Sequence, residues 1–269
     1  MPNFAGYTFT MSGFLFNDVI FGPVRSRRLG LSLGINLLPL HAKYCSFNCI
    51  YCECGWTPPN QGLHPEFPSR AEVAMYLEKR LQELSAEGYL PDALTYAGNG
   101  EPTMHPEFAG VVDDTLALRD QYAPEAKVSV LSNSSRIHVP EVFAALQKLD
   151  SNILKLDAGS ETMFNLINYP VEPVDFAGLI ANLKKFNGHL IIQSMFLRGN
   201  FKGQVVDNTT PEEVTPWIRH LVEINPKLVM IYPIARATPV HNLEKIAFTE
   251  LEEIGRKVRD AGLNVHVYR

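Results

Sequence analysis

Four cysteines, Cys45, Cys49, Cys52 and Cys54, crowd into one short stretch, CSFNCIYCECG, and the rest of the 269-residue chain has none. A disulfide framework spreads its cysteines to close loops, whereas thiols this close together point to a metal site. Thiolates are soft donors that suit both zinc and iron–sulfur clusters. Cys45, Cys49 and Cys52 can hold three irons of a 4Fe–4S cube from one side. The fourth iron is then open to a small molecule, much as an open zinc position admits water. Cys54 keeps two other readings alive, a closed four-thiolate zinc site and an all-cysteine electron-transfer cluster. Zinc usually takes two Cys-x-x-Cys pairs separated by a longer span, and no second pair exists here.

Further polar groups fall where strands are expected to end. Gly98, Asn99, Gly100 and Glu101 stand in AGNGEPTMHPEF, and glycines let backbone approach a neighbour closely. Ser132 and Asn133 stand in VLSNSS; an Asn-Ser turn is the plain alternative. Lys155 and Asp157 stand in ILKLDAGS; the plain alternative for Asp157 is to cap a helix beginning near Ser160. Gln193 and Ser194 follow on the next strand, either facing a ligand or buried and satisfied by backbone. Arg198 is a candidate to neutralise a substrate carboxylate or phosphate. Arg25, Arg27 and Arg28 form a small basic patch that either grips an anion or is a solvated turn. The eight histidines are scattered. His41 and His105 lie nearest the motifs, and both are read as structural.

The elements that must position these groups alternate along the chain. Short apolar runs read as strands from Leu31, Ala93, Lys127, Asn152, His189, Lys227 and Leu263. Helices fall between them. Ser69 with Glu72 forms a capping box ahead of a helix that stops at Gly88. Thr210, Pro211 and Glu213 open a second, with Pro211 at its first position. Thr249 with Glu252 is expected to cap a third, ending near Gly262. Segments 106–122, 140–149 and 174–186 read as amphipathic helices. Six or seven such βα units in series predict parallel strands with right-handed crossovers, closing fully or partly into a barrel. No repeat or linker interrupts residues 1–269, so one domain is expected. Residues 1–25 form an N-terminal cap segment, and Met1–Phe16 is expected to cover one end on its apolarity.

The Cys-x3-Cys-x-aromatic-Cys pattern, with Tyr51 before Cys52, resembles the signature of the radical S-adenosylmethionine (SAM) superfamily. That resemblance implies an α/β fold, a partial (β/α)6 TIM-like barrel, here with the N-terminal cap and a C-terminal helix–strand extension. It implies a 4Fe–4S cluster on Cys45, Cys49 and Cys52, with SAM bound to the open iron. It implies cleavage of SAM to methionine and a 5′-deoxyadenosyl radical that abstracts hydrogen from a substrate. The segment Gly98, Asn99, Gly100 and Glu101 resembles the family's glycine–glycine–glutamate segment, which holds the SAM ammonium. Ser132 and Asn133 then serve ribose or carboxylate contacts, and Asp157 and Gln193 complete the cofactor-binding set with Tyr51. An electron donor such as flavodoxin or ferredoxin is implied as partner.

The run from Phe21 to Thr57, together with GNGEPTMHPEF and MIYPIAR, resembles the wyosine-synthase-like, tRNA-modifying subgroup. Those enzymes carry a second cluster on extra N-terminal cysteines, which this chain lacks. The substrate expectation is therefore a small molecule or peptide first, a tRNA base second and a glycyl radical protein third.

Composition fits a globular core, with 46% hydrophobic and 20% charged residues. The formal net charge of −5 gives no support to an extended nucleic-acid surface. No apolar run reaches membrane-spanning length, and the apolar N-terminus lacks the basic start of a secretory signal. A cytoplasmic location without membrane association is the expectation.

Overall fold

The computed structural model describes residues 13–26, 28–59 and 65–269. Its strands are β1 (Ile20–Ser26), β2 (Gly30–Ile35), β3 (Ala93–Tyr96), β4 (Lys127–Ser132), β5 (Ser151–Lys155), β6 (Ile191–Phe201), β7 (Gln204–Asp207), β8 (Leu228–Pro233), β9 (Glu244–Lys245) and β10 (Val265–Val267). Its helices are α1 (Arg70–Ala86), α2 (Phe108–Tyr122), α3 (Pro140–Leu146), α4 (Glu161–Asn168), α5 (Phe176–Lys184), α6 (Pro211–Ile224) and α7 (Phe248–Asp260).

The sheet runs β1-β2-β3-β4-β5-β6-β8-β10. Every pairing from β2 to β10 is parallel, as helical crossovers require. β1 pairs antiparallel with β2 and covers that edge. Among the described residues no pairing joins β10 back to β1 or β2, so the barrel is partial. β3 is buried along its whole length, as a strand with helices on one face and a filled interior on the other must be.

The helix starts follow local chemistry. Ser69 and Glu72 form the reciprocal capping box of α1, and Leu77, Leu81 and Leu84 bury its inner face. Pro211 stands at the first position of α6, and Glu213 in the first turn of α6 aims its carboxylate towards a neighbouring helix. Its carboxylate accepts hydrogen bonds from the Gly159 and Ser160 amides, both at 3.0 Å, and so ties α6 to the start of α4. Two capping expectations are corrected. Thr249 is not the cap of α7, which starts at Phe248 after Ala247 without a side-chain cap; burial of Leu251, Ile254 and Val258 sets its position. Asp157 does not cap α4, because Ser160 does, accepting from the Met163 amide.

Three strands escape the sequence pattern. β1 contains Pro23 and the exposed Val24 and Arg25, and it is held by its antiparallel partner rather than by an apolar run. β7 and β9 are short and pair only with the far end of the eleven-residue β6. They frame a small second apolar cluster around Ile50, Ile167, Leu197, Phe201 and Val206. Of the expected cap, residues 1–12 lie outside the described residues. Phe16 stacks on Phe21 with ring centroids 3.7 Å apart.

Candidate cluster and cofactor site

The cysteine loop follows β2 and is wound tightly by its own backbone. The Cys52 amide donates to the Cys49 carbonyl at 3.0 Å, and the Gly55 amide donates to Cys52 at 2.9 Å. Cys45 and Cys49 are buried, Cys52 and Cys54 half-buried, and the four form no disulfide with one another. Burial pushes the Cys45 thiol up to about 12 and also raises Cys49. Cys52 is held low, first by a hydrogen bond from Cys54, and that same bond raises Cys54.

Two ammonium groups lie against these thiols. Lys155 ends β5, and its Nζ donates to Cys49 Sγ at 2.8 Å and to the Tyr51 hydroxyl at 3.2 Å. Tyr51 donates to Asp157 Oδ2 at 2.5 Å, and Asp157 Oδ1 accepts from the Met195 amide. Lys155 and Asp157 are 3.5 Å apart as an ion pair. Burial, then the Asp157 charge, raises the Tyr51 phenol, so it remains a donor. The second ammonium belongs to Lys43, which is only 2% exposed and donates to the Gly55 carbonyl at 2.9 Å. Sequence reading passed over Lys43. Its signal was a lysine two residues ahead of the first cysteine, after the apolar run NLLPL.

The glycine segment meets the loop directly. Tyr44 and Gly100 form an isolated parallel bridge, with the Tyr44 amide donating to Asn99 at 2.8 Å and the Glu101 amide to Tyr44 at 3.1 Å. Gly100 has φ of +143°, and a Cβ there would collide with the Tyr44 carbonyl. The glycine is thus required by loop-to-loop contact. Glu101 is fully buried and its oxygens are spoken for. Oε1 accepts from Ser132 Oγ at 2.9 Å and from Thr103, and Oε2 accepts from the Asn133 amide at 2.6 Å. Burial raises its carboxyl above the usual range. Glu101 therefore joins the ends of β3 and β4 and aims Asn133. The Asn133 amide group reaches Ser46 at 2.9 Å and Cys45 Sγ at 3.5 Å.

The remaining sequence candidates divide. Asn99 is buried with its side chain committed to structure, accepting from the Phe16 amide and donating to the Phe16 and Pro39 carbonyls. Gln193 Oε1 accepts from Arg28 at 2.6 Å, and Arg28 sits 5.4 Å over the Tyr232 ring. Ser194 is buried and donates to the Leu156 carbonyl. Arg198 is corrected as an anion ligand, because its guanidinium is already held by Asp207, Thr209 and Glu250. Arg25 is exposed, and Arg27 lies outside the described residues. His105 bridges the Pro68 carbonyl and the Glu107 amide, and His41 is exposed.

The donor set can be tested against an iron–sulfur cluster. Three soft thiols face buried cations rather than carboxylates, which suits an anionic thiolate cluster. Asn168 Oδ1 lies 3.7 Å from Cys49 Sγ, while its buried Nδ2 has no partner among the described residues. Among the described residues, no three His, Cys, Asp or Glu side chains are gathered tightly enough for a single metal ion. Soft thiols flanked by cations fit an iron–sulfur cluster.

Comparison with known proteins agrees. The structure aligns with a radical SAM methyltransferase from Sphaerobacter thermophilus at a TM-score of 0.63, 13% identity, over 88% of this chain and 65% of that one. It aligns with archaeal TYW1 at 0.50, 10% identity, over 86% of this chain and 72% of the other. In sequence it is 33% identical to the UPF0026 protein MJ1312 of Methanocaldococcus jannaschii, over 77% of this chain and 61% of that protein. The chain spans from 34% to 64% of the length of the curated relatives it matches. The Radical SAM superfamily model matches residues 40–207, the stretch holding the cysteine loop, the glycine segment and the ends of β3 to β6. By that match the chain belongs to the radical SAM superfamily.

Proposed function

We propose that Cys45, Cys49 and Cys52 hold a 4Fe–4S cluster whose open iron binds SAM. The supporting observation is the arrangement around the loop, where three thiols face the Lys43 and Lys155 ammoniums and are joined through Tyr44 to Gly100 and Glu101. When loaded, the site supplies one chemistry: one-electron cleavage of SAM to methionine and a 5′-deoxyadenosyl radical, which takes hydrogen from a substrate. The protein's share is positional. Glu101 fixes the ends of β3 and β4, and Asn133 orients the Cys45 side of the loop. Tyr51, Asp157 and Lys155 form one hydrogen-bonded row beside Cys49. Gln193, Arg28 and Tyr232 form a second polar group, suited to a small molecule or peptide. The acidic net charge favours that substrate class over tRNA. The reductant is a small electron-transfer protein of the flavodoxin or ferredoxin kind.

Anaerobic reconstitution with iron and sulfide, followed by SAM and dithionite, tests the reading through chromatography of 5′-deoxyadenosine. The product is expected from the wild-type protein and from Cys54→Ala, and not from Cys49→Ala. A cluster that forms and reduces but leaves SAM intact would make Cys54 a fourth ligand and the protein an electron carrier.

A further inference from the structure

Lys43 is a buried lysine without an acidic partner. Its Nζ donates to the Gly55 carbonyl at 2.9 Å and to the Cys52 thiol, and among the described residues it forms no salt bridge with a carboxylate. Lys155 differs, since Asp157 stands 3.5 Å away and offsets its charge. An ammonium removed from water is strongly unfavourable unless it is paired or neutralised. The groups that face Lys43 electrostatically are Cys52, Cys45, Cys49 and Cys54, in that order. Every one is a thiol of the loop; Cys52 is held low and balances part of the charge, while Cys45, Cys49 and Cys54 are raised, and Cys45 and Cys49 become thiolate when they bind metal.

We infer that Lys43 is the built-in counter-ion of the iron–sulfur cluster, a positioning residue that favours its reduced state and holds the loaded loop closed. The inference rests on the cluster assignment made above. Reduction adds one negative charge to a site already rich in thiolate. A fixed cation against those sulfurs stabilises the reduced form more than the oxidised one, and so raises the potential. Lys43 does this from inside the loop, through the Gly55 carbonyl that follows Cys54. Lys155, partly neutralised by Asp157, contributes less.

Two properties follow that a merely structural lysine lacks. Without iron, Lys43 is balanced by little more than Cys52, so replacing it with a methionine of similar length should leave the empty protein close to wild-type stability. With iron, the same change should lower the potential and shrink the stabilisation that the cluster brings. Arginine, which keeps the charge, should restore much of the potential even where its bulk disturbs packing.

The experiment compares wild type, Lys43→Met and Lys43→Arg after anaerobic reconstitution with iron and sulfide. Iron and sulfide per chain, an EPR-monitored redox titration and melting curves with and without iron are measured. Lys43→Met is expected to disfavour the reduced cluster tenfold or more, about 59 mV towards negative potential. Its empty form should melt close to wild type, and Lys43→Arg should recover most of the shift. An unmoved potential at equal iron content overturns the inference. If Lys43→Met retains no cluster, the empty protein decides: melting well below wild type marks Lys43 as structural and overturns the inference, and melting close to or above wild type upholds it. A wild-type protein that takes up neither iron nor sulfide defeats the cluster assignment itself, which is a distinct result.

Discussion

The ends of β3 and β6 both present a charged residue surrounded by partners, and they do so in opposite ways. At the end of β3, Glu101 is 1% exposed and every oxygen is matched to a donor from β4 or the following turn. At the end of β6, the Arg198 guanidinium stays about a third exposed while pairing with Asp207 and Glu250. Water stands in for lost partners at Arg198 and cannot do so at Glu101. A charge in the first place specifies geometry; in the second it decorates a hairpin.

Substitutions at the two ends should therefore separate widely. Glu101→Ala leaves the Asn133 amide and the Ser132 and Thr103 hydroxyls without their acceptor. It should lower stability by about 3 kcal/mol, read by urea unfolding of the empty protein, and weaken iron uptake because Asn133 is no longer aimed at Cys45. Gly100→Ala comes next. The added Cβ meets the Tyr44 carbonyl in a backbone conformation that alanine resists, and a loss of about 2 kcal/mol should appear in the same assay. Arg198→Ala should cost about 0.5 kcal/mol and shrink further at high salt. A loss at Arg198 equal to that at Glu101 would erase the distinction between the two ends.

A smaller effect sharpens the contrast from the thiol side. Burial holds Cys45 neutral in the empty protein up to about 12, well above an unfolded thiol. The folded state thus gains from the neutral thiol below the ordinary value near 9, and loses that gain as pH rises towards 12. Melting of the iron-free protein should fall across that window. Iodoacetamide at neutral pH should label Cys52 before Cys45, as peptide mass spectrometry would show. Equal labelling would remove the asymmetry between the buried and half-buried cysteines.

The sequence disclosed the parts of this site that repeat at short range. The cysteine spacing, the glycine segment and the apolar runs of β2 to β6 all lie within a few residues of their own signals. What stayed hidden depends on contacts across the chain. Glycines 98 and 100 suggested close approach to a ligand, but the neighbours they admit are Asn36 and the Tyr44 carbonyl. Asn99 sits inside that motif yet spends its side chain on Phe16, 83 positions away. Arg198 read as an open cation because Glu250 is 52 positions distant. Lys43 offered only its place two residues ahead of the first cysteine, since one lysine has no period and its setting is made by a loop folded over it.

The Phe16 and Asn99 pairing has a kinetic corollary. The Asn99 side chain both accepts from the Phe16 amide and donates to its carbonyl, imitating a strand bridge with a side chain. A contact closed over so long a loop forms late, once the turn after β3 already exists. The Phe16 amide proton consequently exchanges with solvent only when that turn opens, so its deuterium uptake is a clock for the segment that carries Gly98 to Glu101.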